Sequence, residues 1–196
     1  MEYTEEFVRD TLSKVKTILD SPARKLNKEL LLRVADRIEN QPKECSIRLP
    51  IKYNQSVWFD PNYEDRNLCG SAGCLAGEIA LEKFTPKELS ILGNNSKIDG
   101  ITSFQLYRIF EEFGFEYNPS FAFPVTSDDA ALIREIAKAL SGVNQEFASR
   151  IFDRGGYSSW VDDLRELTDA GKQNEAAAEL LRRLVHGGEL YRRCEW

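Results

Sequence analysis

The chain has 196 residues, 42% apolar and 30% charged, with 26 Lys and Arg against 32 Asp and Glu and a formal charge of −6. This is the composition of a folded globular chain, long enough for one sizeable domain or two small lobes. It argues against a general nucleic-acid binder, whose affinity comes from neutralising phosphates with lysine and arginine, and against attraction to an anionic membrane surface.

No apolar run approaches the ~20 residues needed to span a bilayer. The acidic opening, MEYTEEFVRD, lacks the basic-then-apolar pattern of a signal peptide, so a cytoplasmic location is expected. The cysteines Cys45, Cys69, Cys74 and Cys194 are then expected as free thiols rather than a disulfide framework.

Glu5 to Asp20 carries Phe7, Val8, Leu12, Val15, Ile18 and Leu19 at helical spacing, which predicts a first helix closed by Ser21-Pro22. Leu26, Leu30, Val34 and Ile38, with Leu31 and Ala35 beside them, predict a second helix from Leu26 to about Asn40, stopped by Gln41-Pro42. Cys45 to Arg66 differs, with Pro50, Pro61, Asn54 and Asn62 along it. Ile47, Leu49, Ile51 and Tyr53 alternate there, so the segment reads either as a short strand that Pro50 confines to an edge or as a long ordered loop.

A third helix is predicted from about Gly70 to Lys83. Thr85 then caps a short helix with Pro86 at its first position. Ser103 is read as the cap of a helix through Leu106, Ile109, Phe110 and Phe113, closed by Gly114. Asn118 to Val125 (NPSFAFPV) reads as an aromatic, proline-bearing link. Ser127 or Asp128 caps a helix through Leu132, Ile136 and Leu140 to Gly142. Further helices are predicted over Val143 to Asp153, Trp160 to Ala170 and Gln173 to His186, with glycines after each. The expected fold is mainly α, a compact multi-helix domain with a short β element near residues 47–53. Residues 1–126 form an N-terminal helical lobe and 127–196 a C-terminal one, or the two run together as one continuous domain.

Asn67 to Ala80 (NLCGSAGCLAGEIA) is the most informative stretch. As a helix it aligns Ala72, Ala76 and Ala80 beside Gly73 and Gly77. Each interior glycine costs up to ~1 kcal/mol there, so packing or a ligand should offset it. Close packing is the first reading. The second is an anion site: the bare N–H groups of Gly70, Ser71, Ala72 and Gly73, completed by Arg66, with Trp58 and Tyr63 stacking a planar ligand nearby. A catalytic Cys69 would need a base, and the one histidine, His186, lies at the far end of the chain. Zinc would have to recruit remote ligands for the same reason. No catalytic residue, metal or cofactor is therefore expected.

Cys69-Gly70-Ser71-Ala72-Gly73-Cys74-Leu75-Ala76-Gly77 resembles the Cys-Gly-Thr-x-x-Cys-Ile-Ala-Gly signature of a set of small, functionally uncharacterised bacterial and phage proteins. The likeness is specific over the nonapeptide and loose over about half the chain. Ser71 stands where threonine is usual, and Glu78 where Trp or His is common. The resemblance implies a shared fold and a phage or mobile-element setting, and no activity.

Arg182, Arg183, His186, Arg192 and Arg193 make a basic C-terminus, read first as a solvated helix face and tail and second as a contact for an acidic partner or a phosphate. Asp128-Asp129 and Asp162-Asp163 sit in first helical turns, where they complement the helix dipole. The expected function is non-enzymatic: an accessory or regulatory protein that binds a protein partner. The alternatives are a small-ligand binder that sequesters a nucleotide signal as an anti-defence protein, and a cysteine-dependent enzyme.

Overall fold

Thr4 opens the first helix, α1 (Glu5–Asp20), its side chain accepting from the Phe7 N–H, and Val8, Thr11, Leu12 and Val15 form the buried stripe. The computed structural model describes residues 3–40, 52–53, 59–60, 72–73, 75–92, 100–118, 123–125, 131–152 and 161–188. The second helix, α2 (Lys28–Glu39), starts two residues later than the apolar repeat suggests, because Asn27 caps it through the Leu30 N–H.

Three two-residue strands follow: β1 (Lys52–Tyr53), β2 (Phe59–Asp60) and β3 (Ala72–Gly73). They pair in the order β1-β3-β2, with β1 parallel and β2 antiparallel to β3. The expected β element near residues 47–53 is present at its C-terminal end, and β1 lies on a sheet edge.

The third helix, α3 (Leu75–Ala80), begins five residues after Gly70 and gives way to a turn at residue 81, short of Lys83. The physical reason lies in the glycines. A helix over residues 70–73 would carry two glycines, each costly in a helix interior, while extended Ala72 and Gly73 pair with a strand on either side. All six residues of α3 are buried.

The helix α4 (Pro86–Leu92) starts as expected, with Thr85 and Glu88 in a reciprocal capping box: the Thr85 N–H donates to Glu88 Oε2 (2.7 Å) and the Glu88 N–H to Thr85 Oγ1 (3.2 Å). Thr102, not Ser103, caps α5 (Ser103–Glu112), again in a capping box, here with Gln105. The aromatic link at its far side is an antiparallel strand pair, β4 (Glu116–Asn118) and β5 (Phe123–Val125), with Pro124 opposite Tyr117. Proline is tolerated because each strand of a two-stranded ribbon has a free edge.

The chain then runs through α6 (Leu132–Ser141), α7 (Gln145–Ile151), α8 (Asp162–Asp169) and α9 (Gln173–His186). The helix α6 starts at Leu132, with Ala131 at the cap position and no side-chain cap, and the expected caps Ser127 and Asp128 lie outside the described residues. The fold is mainly α. One cluster of buried residues runs from Val8 to Val185, because α2 lies against α9 and α3 against α6. Residues on either side of position 126 thus share one core.

The α2–α9 contact is apolar at its centre and ionic at its margin. Ala176, Ala177, Leu180 and Leu181 on α9 are buried, as are Leu31, Val34, Ala35 and Ile38 on α2. Asn174 Nδ2 donates to the Ile38 carbonyl (3.0 Å) in the last turn of α2. Arg182 bridges Asp36 (2.9 Å) and Glu39. The Arg182 hydrogen bond holds the Glu39 carboxyl below the usual carboxylate range, and Arg183 does the same for Asp163.

A carboxyl whose pKa is depressed on folding contributes stability above its unfolded pKa and loses it as pH falls through the folded value. The thermal midpoint should therefore hold from neutral pH to about 5 and fall below about 4. Arg182→Gln should lower the midpoint at neutral pH and flatten the acid limb, so that the two curves converge near about pH 3. Parallel curves in a pH series of thermal melts would refute the Arg182–Glu39 linkage.

Candidate functional site

Of the residues first considered for a ligand site, Trp58, Tyr63, Arg66, Gly70 and Ser71 lie outside the described residues. Ala72 and Gly73 occupy the central strand of the small sheet, paired on both edges, so their backbone is not a helix start. All four cysteines also lie outside the described residues, and His186 is exposed at the end of α9.

What the nonapeptide helix does show is a charged clamp. Glu78 is fully buried on α3 and receives Arg37 Nε of α2 at Oε2 (3.1 Å), while the same guanidinium donates to the Glu78 carbonyl and to Glu82 Oε1. Arg33 adds a second hold on Glu82 (2.8 Å). Burial pushes the Glu82 carboxyl up, but the hydrogen bonds from Arg33 and Arg37 outweigh it and leave it lowered. The clamp is structural in geometry: every donor named is spent on a carboxylate or carbonyl of the same fold.

The basic C-terminal helix is spent in the same way. Arg182 holds Asp36 and Glu39, and Arg183 holds Asp163 and Glu179. Neither guanidinium is left to grip a phosphate without breaking these pairs. Asp163, read from sequence as a dipole partner in a first helical turn, is also the anchor for Arg183.

Between α1 and α5 lies a cleft of about 70 Å3, lined by Glu5, Arg9, Gln105, Arg108, Ile109 and Glu112. Ligand sites for small organic molecules are roughly 300–1,000 Å3, so this cleft holds no more than a few waters. Its polar groups answer one another: Gln105 Nε2 donates to Glu5 Oε1 (2.9 Å), and Arg9 to Glu112.

The outer face of α5 is different. Its inner stripe, Leu106, Ile109 and Phe110, is buried, whereas Phe104 is 70% exposed and Tyr107 40% exposed, one turn apart. These are the exposed large apolar side chains among the described residues. The Tyr107 hydroxyl bonds to Glu111, and this bond, with the charges of Glu111 and Glu116, raises the phenol pKa above its ordinary range.

No known protein family, characterised protein or solved structure matches this chain.

The surface chemistry of the molecule therefore carries the functional reading. Among the described residues no His, Cys, Asp and Glu side chains gather as a set of three or more able to hold a metal ion, and no helix is long and apolar enough to cross a membrane. The α5 face escaped the sequence reading, which followed only the buried stripe of that helix. The signal was Phe104 and Tyr107, three residues apart and out of phase with Leu106, Ile109 and Phe110.

Proposed function

We propose that this chain is a non-enzymatic accessory protein of phage or mobile-element kind, working in the host cytoplasm by binding a protein partner through the outer face of α5. The exposed Phe104 carries the reading. Its ring is held out on a helix whose N-terminus is fixed by the Thr102–Gln105 capping box and tied to α1 by the Gln105–Glu5 hydrogen bond. Such a platform loses little freedom on binding, which leaves more of the contact energy as affinity. Covering a phenylalanine ring contributes roughly 1.5–3 kcal/mol, and aromatic residues with arginine are the types enriched at interface centres. Arg108 is exposed beside Tyr107. The nonapeptide at residues 69–77 supports the phage setting.

The test is the double substitution Phe104→Ala/Tyr107→Ala. Both sites are exposed helix positions where alanine is a good helix former, so the thermal midpoint should move little. A protein captured from host lysate by the wild-type chain should be lost by the variant, with affinity reduced by about 2 kcal/mol or more, roughly 30-fold in Kd. The same proteins held equally by both chains would overturn the reading.

A further inference from the structure

We infer that the partner presents a cationic segment, one bearing lysine or arginine, to the Phe104–Tyr107 face. This names the partner chemistry of the proposed interface and rests on that reading. The first ground is that lysines of this fold already sit over aromatic rings, the partly open Tyr3 and Phe7 and the buried Phe84. Lys87 Nζ lies over the rings of Tyr3 (5.0 Å) and Phe7 (4.4 Å), and Lys14 Nζ over Phe84 (4.8 Å). A cation over a ring face is attracted by the ring quadrupole. Among the described residues, no cation covers Phe104 or Tyr107, although both rings are more open to approach.

The second ground is the charge beside them. Glu39, Glu82, Glu88, Glu112 and Asp163 each hold a lysine or arginine of the same chain. Glu111 and Glu116, the two carboxylates that act on Tyr107, form no ion pair among the described residues. Against the exposed cation beside them, Arg108, the Glu111 and Glu116 carboxylates leave the face net negative, and it offers a cation both a ring face and a counter-charge. An acidic or phosphate-bearing partner would meet repulsion at the same two groups, within a chain whose formal charge is already −6.

The experiment is selection from a random peptide display library on the wild-type chain, with counter-selection on Phe104→Ala/Tyr107→Ala. Peptides whose capture depends on the aromatic pair should be enriched in lysine and arginine. Affinity of a recovered peptide should fall roughly tenfold in Glu111→Gln/Glu116→Gln. It should not fall in Glu166→Gln/Asp169→Asn, which removes the same charge from exposed positions on α8. Aromatic-dependent peptides that are neutral or acidic, or an equal loss in the α8 control, would overturn the cationic assignment and leave partner binding standing. Recovery of no aromatic-dependent peptide would overturn partner binding at α5 itself, and the inference with it.

Discussion

Replacing Gly142 with alanine should destabilise the protein by about 3 kcal/mol or more, the sum of a backbone cost and a clash that nothing flexible can relieve. Gly142 closes α6 in the left-handed region, at φ +66, with its N–H donating to the Lys138 carbonyl (2.9 Å). An L-residue there costs about 1 kcal/mol. A β-carbon would also stand 2.1 Å from the Lys25 carbonyl oxygen and 2.6 Å from its carbon. Those are backbone atoms of the strap between α1 and α2, which is itself pinned. The Ala23 N–H donates to the Ala139 carbonyl and the Asn27 N–H to the Ser141 carbonyl, both at 2.7 Å. These bonds satisfy acceptors that the end of α6 would otherwise leave open. Relief of the clash means lifting the strap and losing them, or unwinding the last turn of α6.

Gly114, Gly171 and Gly187 are the internal comparison. Each has a φ between +77 and +79, and a β-carbon there would meet nothing within 4 Å. Alanine at those positions should cost only the backbone conformation, about 1 kcal/mol. In thermal melts Gly142→Ala should drop the midpoint by roughly 10 °C and Gly171→Ala by roughly 3 °C. Equal drops would show that the strap yields to the added methyl and that the close approach is not a constraint.

The strap also marks where sequence reasoning stops. Gly142 is legible as a helix end, because a glycine after an apolar repeat is a local signal. That Lys25 crosses over it is a long-range fact with no trace in the local pattern. The same division holds elsewhere. The Thr85 cap and the span of α9 follow from residues a few positions apart, and both match. The three-strand sheet does not, since Ala72 and Gly73 are drawn out of a helix by partners at residues 52–53 and 59–60. The β4–β5 ribbon hides for a related reason: Pro124 argues against a strand until its partner on the other edge is known. The small residues at 76, 77 and 80 are all buried in α3. They could not foretell its ionic anchor, because Arg37 lies 41 positions away from Glu78.

That anchor supplies the second large effect. Arg37→Met should cost about 3 kcal/mol, the lower end of what breaking a buried ion pair from one side costs. Glu78 is fully buried, and the substitution removes the Nε donor at its Oε2 together with the donor at its carbonyl. The larger part of the loss is the weakened hold on a fully buried carboxylate, which water reaches poorly. Two consequences separate this account from simple loss of packing. Protonating Glu78 removes the charge that Arg37 no longer balances, so the deficit of Arg37→Met relative to wild type should narrow as pH is lowered from 7 towards about 5, above the range where surface carboxylates titrate. The double variant Arg37→Met/Glu78→Leu should regain much of the stability lost by the single one, because replacing both partners of a buried pair by apolar groups is often close to neutral. Denaturant titrations of the four chains at the two pH values give the coupling directly. Additive losses, with no pH dependence in Arg37→Met, would show that Arg37 acts through its aliphatic stem and that the Glu78 contact contributes little.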